Sequence, residues 1–251
     1  MIEVIYILCL RQLKHYWRSK SRLVGSLGQP LLFLVTFVFG FGPMYSRANG
    51  GANYLYFLAP GIVSMSILFT AVFSGLEVIW DRKFGFLKET MVAPISRTEI
   101  MIGKTLGGAV IAMIQGLIVL SLTFVLGFRI HSLENLGLGL LFMSLIAIFF
   151  SGLGLTIASK MKDLQGFQLI MNFLIMPIFF LSGALFPLTN LPPAIYFISR
   201  IDPLTYGVDG LRGAIAGISA FGVSSDLVTI FALSALICAI GTVLFSGIDA
   251  S

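Results

Sequence analysis

The sequence predicts an all-α membrane protein with six transmembrane helices. Three observations carry that reading: the composition, the length of the apolar runs, and the way basic residues cluster at their ends. Of 251 residues, 57% are hydrophobic and 11% charged, and the mean hydropathy is +0.99. A soluble domain carries about 25% charged residues. Too little polar surface remains to cover a globule, so the solvent must be mostly lipid. The net charge of +5 would suit nucleic acid if it covered one soluble face. It lies instead at the ends of apolar runs, as membrane topology requires, and no nucleic-acid partner is expected.

About 20 apolar residues are needed for a helix to cross the hydrocarbon core. Six stretches qualify: about Leu23–Gly42, Tyr56–Ile79, Thr105–Phe128, Leu136–Ser159, Phe167–Phe186 and Leu227–Ser246. Helices satisfy every backbone N–H and C=O within the segment. A barrel would need short alternating strands, and Leu140–Phe150 does not alternate.

Orientation follows from Lys and Arg. The N-terminal segment has Arg11, Lys14, Arg18, Lys20 and Arg22; the second loop has Arg82, Lys83, Lys88, Arg97 and Lys104; the fourth has Lys160 and Lys162. Those are twelve, against Arg47, Arg129, Arg200 and Arg212 on the other side. The positive-inside rule makes the first side cytoplasmic, and six spans return the C-terminus to it. The tail Gly247–Ser251 has Asp249 and no basic residue, so it adds no support. No cleavable signal peptide is evident.

Residues 1–22 read as an interfacial helix. Arg11, Lys14, His15 and Arg18 share one face, with Leu10, Leu13 and Trp17 on another. Val4 to Leu8 is apolar nearly all round, so the amphipathicity is half-formed. His15 reads as a solvated or lipid-facing residue rather than a ligand.

The loop of residues 81–103 is charged and partly apolar between two spans. Ser96-Arg97-Thr98-Glu99 reads as a capping box, and Pro94 disfavours helix at Ala93. A helix therefore starts near Arg97 and continues as the third span. Upstream, Phe84, Leu87, Lys88 and Met91 recur at helical spacing and suggest a short separate helix. By composition it is either a grip for a partner or a connector resting on head groups. Gly103-Lys104-Thr105 resembles the end of a phosphate-binding loop, but Thr98 stands where its first Gly belongs and a capped helix, not a strand, precedes. No nucleotide site is encoded, so any ATPase is a separate chain.

Ionisable groups at mid-span depth mark intramembrane chemistry, and this chain offers almost none. Glu77 lies in the last turn of the second span and His131 follows the third. No mid-span His, carboxylate pair or HExxH is present, which argues against intramembrane protease and metalloenzyme readings. Cys9 and Cys238 read as buried free thiols. Small residues are abundant: Gly108, Ala112 and Gly116 form a stripe beside Gly103 and Gly107, and Ser151, Gly152, Gly154 and Ser159 line the fourth span. Such stripes admit close helix approach, within the chain or at a dimer seam. Residues 187–217 hold Pro187, Pro192 and Pro193 between apolar pieces too short to cross, Ala194–Ile201 and Leu211–Ile218. Two half-buried helices dipping in from the outer face fit, with Asp209 and Arg212 placed to pair at i,i+3.

With these motifs placed, the chain resembles the membrane subunits of ABC-2-type exporters over nearly its whole length. The specific parts are Phe84-Gly-Phe-Leu-Lys-Glu-Thr-Met-Val-Ala-Pro94 with Gly103-Lys104, and Leu181-Ser-Gly-Ala-Leu-Phe-Pro187 followed by Asp202-Pro-Leu-Thr-Tyr-Gly-Val-Asp-Gly-Leu-Arg212. Leu27-Gly-Gln-Pro30 and Glu77-Val-Ile-Trp-Asp-Arg82 look like the branch of nodulation-factor and daunorubicin-type exporters. The resemblance implies one transmembrane domain over residues 1–251, in a prokaryotic plasma membrane. It implies a homodimer or a pair with a paralogue, docked on cytoplasmic ATPase subunits that hydrolyse the ATP; this chain binds no cofactor and is not itself an enzyme. It implies ATPase coupling through Phe84, Gly85, Leu87, Lys88, Glu89, Met91 and Pro94, with Glu89 in the usual acidic place. An outer re-entrant hairpin matches Leu188–Ala216, and its gate residues are Pro187, Pro203, Tyr206, Asp209 and Arg212. Asp202 stands where Asn is common, and the tail lacks the usual basic residues. Phe33, Phe37, Phe173, Phe179 and Phe180 favour an amphipathic, lipid-linked or drug-like cargo, although aromatics in spans usually serve packing or lipid contact. A secondary carrier or channel without an ATPase partner is the alternative, and a non-transporting scaffold a third.

Overall fold

Apolar residues gather around one helix, and the rest of the bundle is arranged by how closely each neighbour approaches it. The computed structural model describes residues 2–86, 95–161, 163–188 and 191–246. Its helices are α1 (Ile2–Arg18), α2 (Lys20–Ala48), α3 (Tyr54–Phe73), α4 (Leu76–Lys83), α5 (Arg97–Val125), α6 (Leu136–Lys160), α7 (Leu164–Leu181), α8 (Pro193–Ile201), α9 (Pro203–Ala216) and α10 (Val223–Ser246). Among the described residues, six segments are long and apolar enough to cross a membrane: α2, α3 with α4, α5, α6, α7 and α10. No strand occurs among the described residues. The fold class is as the sequence predicts.

Helix α3 is the central post. In its apolar window 72% of residues are buried, against 11% for α2, so α2 is peripheral and exposes its apolar face. Around α3 stand α5 and α6, which also pack on each other, and α10 lies along α6. Small residues set these approaches. A Cβ at Gly154 would lie 2.3 Å from the Val72 carbonyl oxygen, and one at Gly75 would lie 2.5 Å from that of Gly154. On α5, Gly108 faces Ser74 and Ser151, and Gly116 faces Ile67 and Met143. Both stripes read from the sequence pack helices within the chain.

The second span is not one uninterrupted helix. It tightens at Ser74–Gly75, where the Gly75 N–H donates to the Val72 carbonyl three residues back, at 3.1 Å. The Ser74 hydroxyl bonds the Ala71 carbonyl at 2.6 Å and meets Ser151 at 3.0 Å. Contact with α6 at that level, through Gly75 and Gly154, separates α3 from α4. The fifth span ends at Leu181, before the Phe186 expected from hydropathy, because Gly183 turns left-handed at φ 73°. The sixth begins a turn earlier than expected, at Val223.

Helix α1 lies along α5 with a face that the sequence reading did not single out. Leu8, Gln12 and Tyr16, four residues apart, are buried, and the Tyr16 hydroxyl reaches Gln115 Oε1 at 2.8 Å. Gly103 and Gly107 make room for Leu8 and Gln12. Trp17 remains exposed. The amphipathicity reads as half-formed because one face is buried against α5 while residues of another, such as Trp17, are exposed.

Candidate coupling site and outer hairpin

Helix α4 ends where the charged loop begins, and its last turn is tied to three other helices. The Asp81 carboxylate sits between two cations, accepting from Arg11 of α1 at 2.9 Å and pairing with Lys104 of α5. Lys104 is only 3% exposed, so Asp81 neutralises a buried charge that would otherwise be costly. Arg82 donates to the Ser159 and Met161 carbonyls at 2.8 and 2.9 Å. These close the end of α6, whose last carbonyls lack helical partners and favour a cation. Arg11 also lies 3.7 Å from the Phe86 ring centroid. On the far side of the loop the predicted capping box is present: the Glu99 N–H donates to Ser96 Oγ at 3.2 Å, and the Ser96 N–H to Glu99 Oε2 at 2.8 Å.

Phe84 closes α4 rather than opening a new helix. It caps α4 and stacks on Trp80 at 5.4 Å, and Gly85 follows at φ 79°, a conformation that suits glycine. A helix starting at Phe84 is therefore corrected: the α4 pattern ran into the loop pattern without an apolar break between them. Leu87, Lys88, Glu89, Met91 and Pro94 lie outside the described residues. Asp81 and Lys104 were not paired by the sequence reading, although a lone Lys entering an apolar span demands an acidic partner.

Between α7 and α10 the chain forms two short helices, α8 and α9, each with Pro at its first position. Asp202 joins them. It ends α8 and caps α9, accepting from the Leu204 N–H at 2.8 Å. Burial pushes its carboxyl up to about 8, against the pull of that hydrogen bond. The second helix thus begins at Pro203, eight residues before the apolar piece read from Leu211. Tyr206 donates to the Arg200 carbonyl at 2.7 Å and its ring faces Phe221 at 5.9 Å. Pro187 lies in the turn after α7, where the Leu185 carbonyl accepts from Tyr54 at 2.7 Å.

Asp209 and Arg212 are neighbours, yet each makes its shorter bonds elsewhere. Their nearest N and O atoms are 4.0 Å apart. Arg212 donates to the Phe57 and Gly183 carbonyls at 3.0 and 2.9 Å. Asp209 accepts from the Ser219 hydroxyl and from the Ala220 and Phe221 N–H groups at 2.8–3.0 Å. The i,i+3 spacing could show proximity but not that α9 bolts three segments together. Asp226, in the first turn of α10, is also buried; starting the sixth span at Leu227 had placed it outside.

Residues 3–216 match the family model described as ABC-2 type transporter, a stretch that runs from α1 to the end of α9. The chain belongs to the ABC-2 type transporter family. Similar proteins include the putative transport permease ycf38 of Pyropia yezoensis, 30% identical over 222 residues covering 84% of this chain and 74% of that protein. The inner membrane transport permease YadH of Escherichia coli (strain K12) is 28% identical over 201 residues, 78% of this chain and 77% of that one. Nodulation protein J of Rhizobium leguminosarum bv. trifolii is 28% identical over 205 residues, covering 80% and 77%. As an ABC-2 family member this multi-pass chain is a transport permease, and the family's membrane subunit is not itself the ATPase. Among the described residues, no group of three or more His, Cys, Asp or Glu side chains is placed to hold a metal ion.

Proposed function

We propose that the chain is the membrane permease of an ATP-driven exporter, coupled to a separate cytoplasmic ATPase through the loop after α4. The observation that supports this reading is the Asp81 and Arg82 joint. A partner pressing on residues 84–94 would act on α4, and α4 is linked through Asp81 to α1 and α5 and through Arg82 to α6. Motion of the loop would then tilt several helices together rather than bend one. In this reading both termini are cytoplasmic, and a second copy or a paralogous permease completes the pathway, with substrate crossing between the facing bundles. The α8–α9 hairpin re-enters from the outer face, where Pro187, Pro203, Tyr206, Asp209 and Arg212 hold it as a gate. An amphipathic, lipid-linked or drug-like cargo suits a pathway bounded by apolar and aromatic side chains. Purification from native membranes tests this directly: an ATPase chain should co-purify in equal number with the permease. Transport that persists without any ATPase and collapses with the ion gradient would establish a secondary carrier instead.

A further inference from the structure

Two carboxyl groups meet where α9 gives way to α10. Asp209 lies midway along α9 and Asp226 in the first turn of α10. The turn between the helices, residues 217–222, folds back so that the two carboxyls are in hydrogen-bonding contact. Both are buried, Asp209 at 4% exposure and Asp226 at 0%. Asp209 is engaged, accepting from the Ser219 hydroxyl and from the Ala220 and Phe221 N–H groups. Asp226 is not: among the described residues, no donor reaches either of its oxygens.

Buried polar groups are almost always hydrogen-bonded, and an ionisable side chain in a span is expected to have a partner. The elements packed on α10 bring Asp226 no countercharge of its own. On α9 the other titratable groups are Tyr206, bonded to the Arg200 carbonyl, and Arg212, whose nearest nitrogen is 4.0 Å from Asp209. Helix α6 carries no titratable side chain before Lys160, and α5 only Arg97, Glu99 and Lys104 in its first turns. Those turns lie toward the other end of α10, where Met101 meets Gly241. In the loop before α6, His131 packs on Gly217 and Glu134 is exposed. As two carboxylates, the pair would set a second buried negative charge beside the first, a costly arrangement. Carboxyls that share one site avoid it by keeping a proton between them.

From the unpartnered buried carboxyl and its contact with Asp209, we propose that Asp209 and Asp226 form a proton-binding site that latches α10 to α9. The proton sits on Asp226 and is donated to Asp209, so Asp209, Arg212 and Asp226 together carry no net charge. Ser219 is exposed and its hydroxyl bonds Asp209 at 3.0 Å, which gives the proton a route to water. Its release leaves two like charges in contact and separates the first turn of α10 from α9. The site does not depend on the exporter reading. On that reading, in which α9 is an arm of the gate, losing the proton would loosen the gate.

The test is infrared spectroscopy of the whole chain in lipid nanodiscs, read at the C=O stretch of a protonated carboxyl. Asp202→Asn serves as the parent, which removes another buried carboxyl expected to hold a proton. At neutral pH the parent should show a protonated-carboxyl band that Asp226→Asn abolishes. Asp209→Asn, whose amide can donate to Asp226 in the proton's place, should abolish it too. Only the folded chain keeps the proton, so the parent's folding equilibrium constant should fall about tenfold per pH unit above about pH 4. That fall is read as a declining thermal midpoint, and Asp226→Asn should flatten it, because an amide donates without ionising. A band unchanged in both variants, or parallel thermal profiles, would overturn the proposal. So would a midpoint that follows added Na+ or Mg2+ rather than pH, which would make this a metal-cation site. None of these outcomes bears on ATPase co-purification, which decides the exporter reading separately.

Discussion

Arg212 of α9 lies over the ring of Phe57 in α3, its guanidinium carbon 3.9 Å from the centroid, and donates from Nε to the same residue's carbonyl at 3.0 Å. One side chain thus holds α9 to the N-terminal part of the central helix by two kinds of contact. Through Nη2 it also holds the turn after α7 at Gly183. Arginine suits this task because its planar fork reaches several acceptors while its face stacks.

Arg212→Ala should therefore destabilise the protein by about 1–3 kcal/mol for each buried carbonyl left unpartnered, read as a lower thermal midpoint in detergent. Arg212→Lys should rescue little, since an ammonium cannot span both carbonyls and the ring. Export should fall while ATPase binding survives. Normal export by Arg212→Ala, Asp209→Ala and the double variant would remove the hairpin's gating role.

Asp81→Asn removes the countercharge of Lys104, which is almost fully buried. Breaking such a pair costs roughly 3–5 kcal/mol, expected as a marked loss of thermal stability and of transport. Glu89→Lys should act differently, abolishing transport with expression and insertion intact, because its charge would sit at the ATPase contact, where truncating a buried pair costs about 2–5 kcal/mol. Normal transport by Glu89→Lys would mean that the loop merely rests on head groups.

Orientation is checked by labelling intact cells after Cys9 and Cys238 are replaced by Ala. A membrane-impermeant thiol reagent should reach Asn49→Cys or Asn190→Cys and not Lys88→Cys or Lys162→Cys. Labelling at position 88 from outside would invert the topology.

Asp202 predicts a pH dependence with a definite sign. Its folded pKa of about 8 stands above the ordinary 3.8, so its contribution to stability is full below about 4 and lost as pH rises through about 8. Asn makes the same cap without ionising. Between roughly pH 4 and 8 the wild type should lose thermal stability relative to Asp202→Asn, the difference levelling off above that range; parallel profiles would show that Asp202 does not titrate there.

Gly154→Val should disrupt the contact of α6 with α3, because even a Cβ there meets the Val72 backbone oxygen at 2.3 Å. Overpacking of this kind costs about 1–3 kcal/mol or more. Gly28→Ala, where nothing lies within 4 Å of the added carbon, is the control and should leave the thermal midpoint unchanged.

The sequence by itself determined the six spans, the Ser96–Glu99 cap, the broken outer segment and the family. Those features are local: an apolar run of sufficient length, a side chain bonding backbone three residues away, a proline that cannot continue a helix. Only the tertiary structure decided which charges meet. Arg11, Asp81 and Lys104 come from three helices and 94 positions of chain, and Arg212 finds Phe57 155 residues away. No periodicity within one helix encodes such a pairing, because it depends on the depth at which neighbouring helices lock. That depth is set by close approaches such as Gly75 on Gly154. The glycines are visible in the sequence, but each partner backbone is known only once the helices are packed.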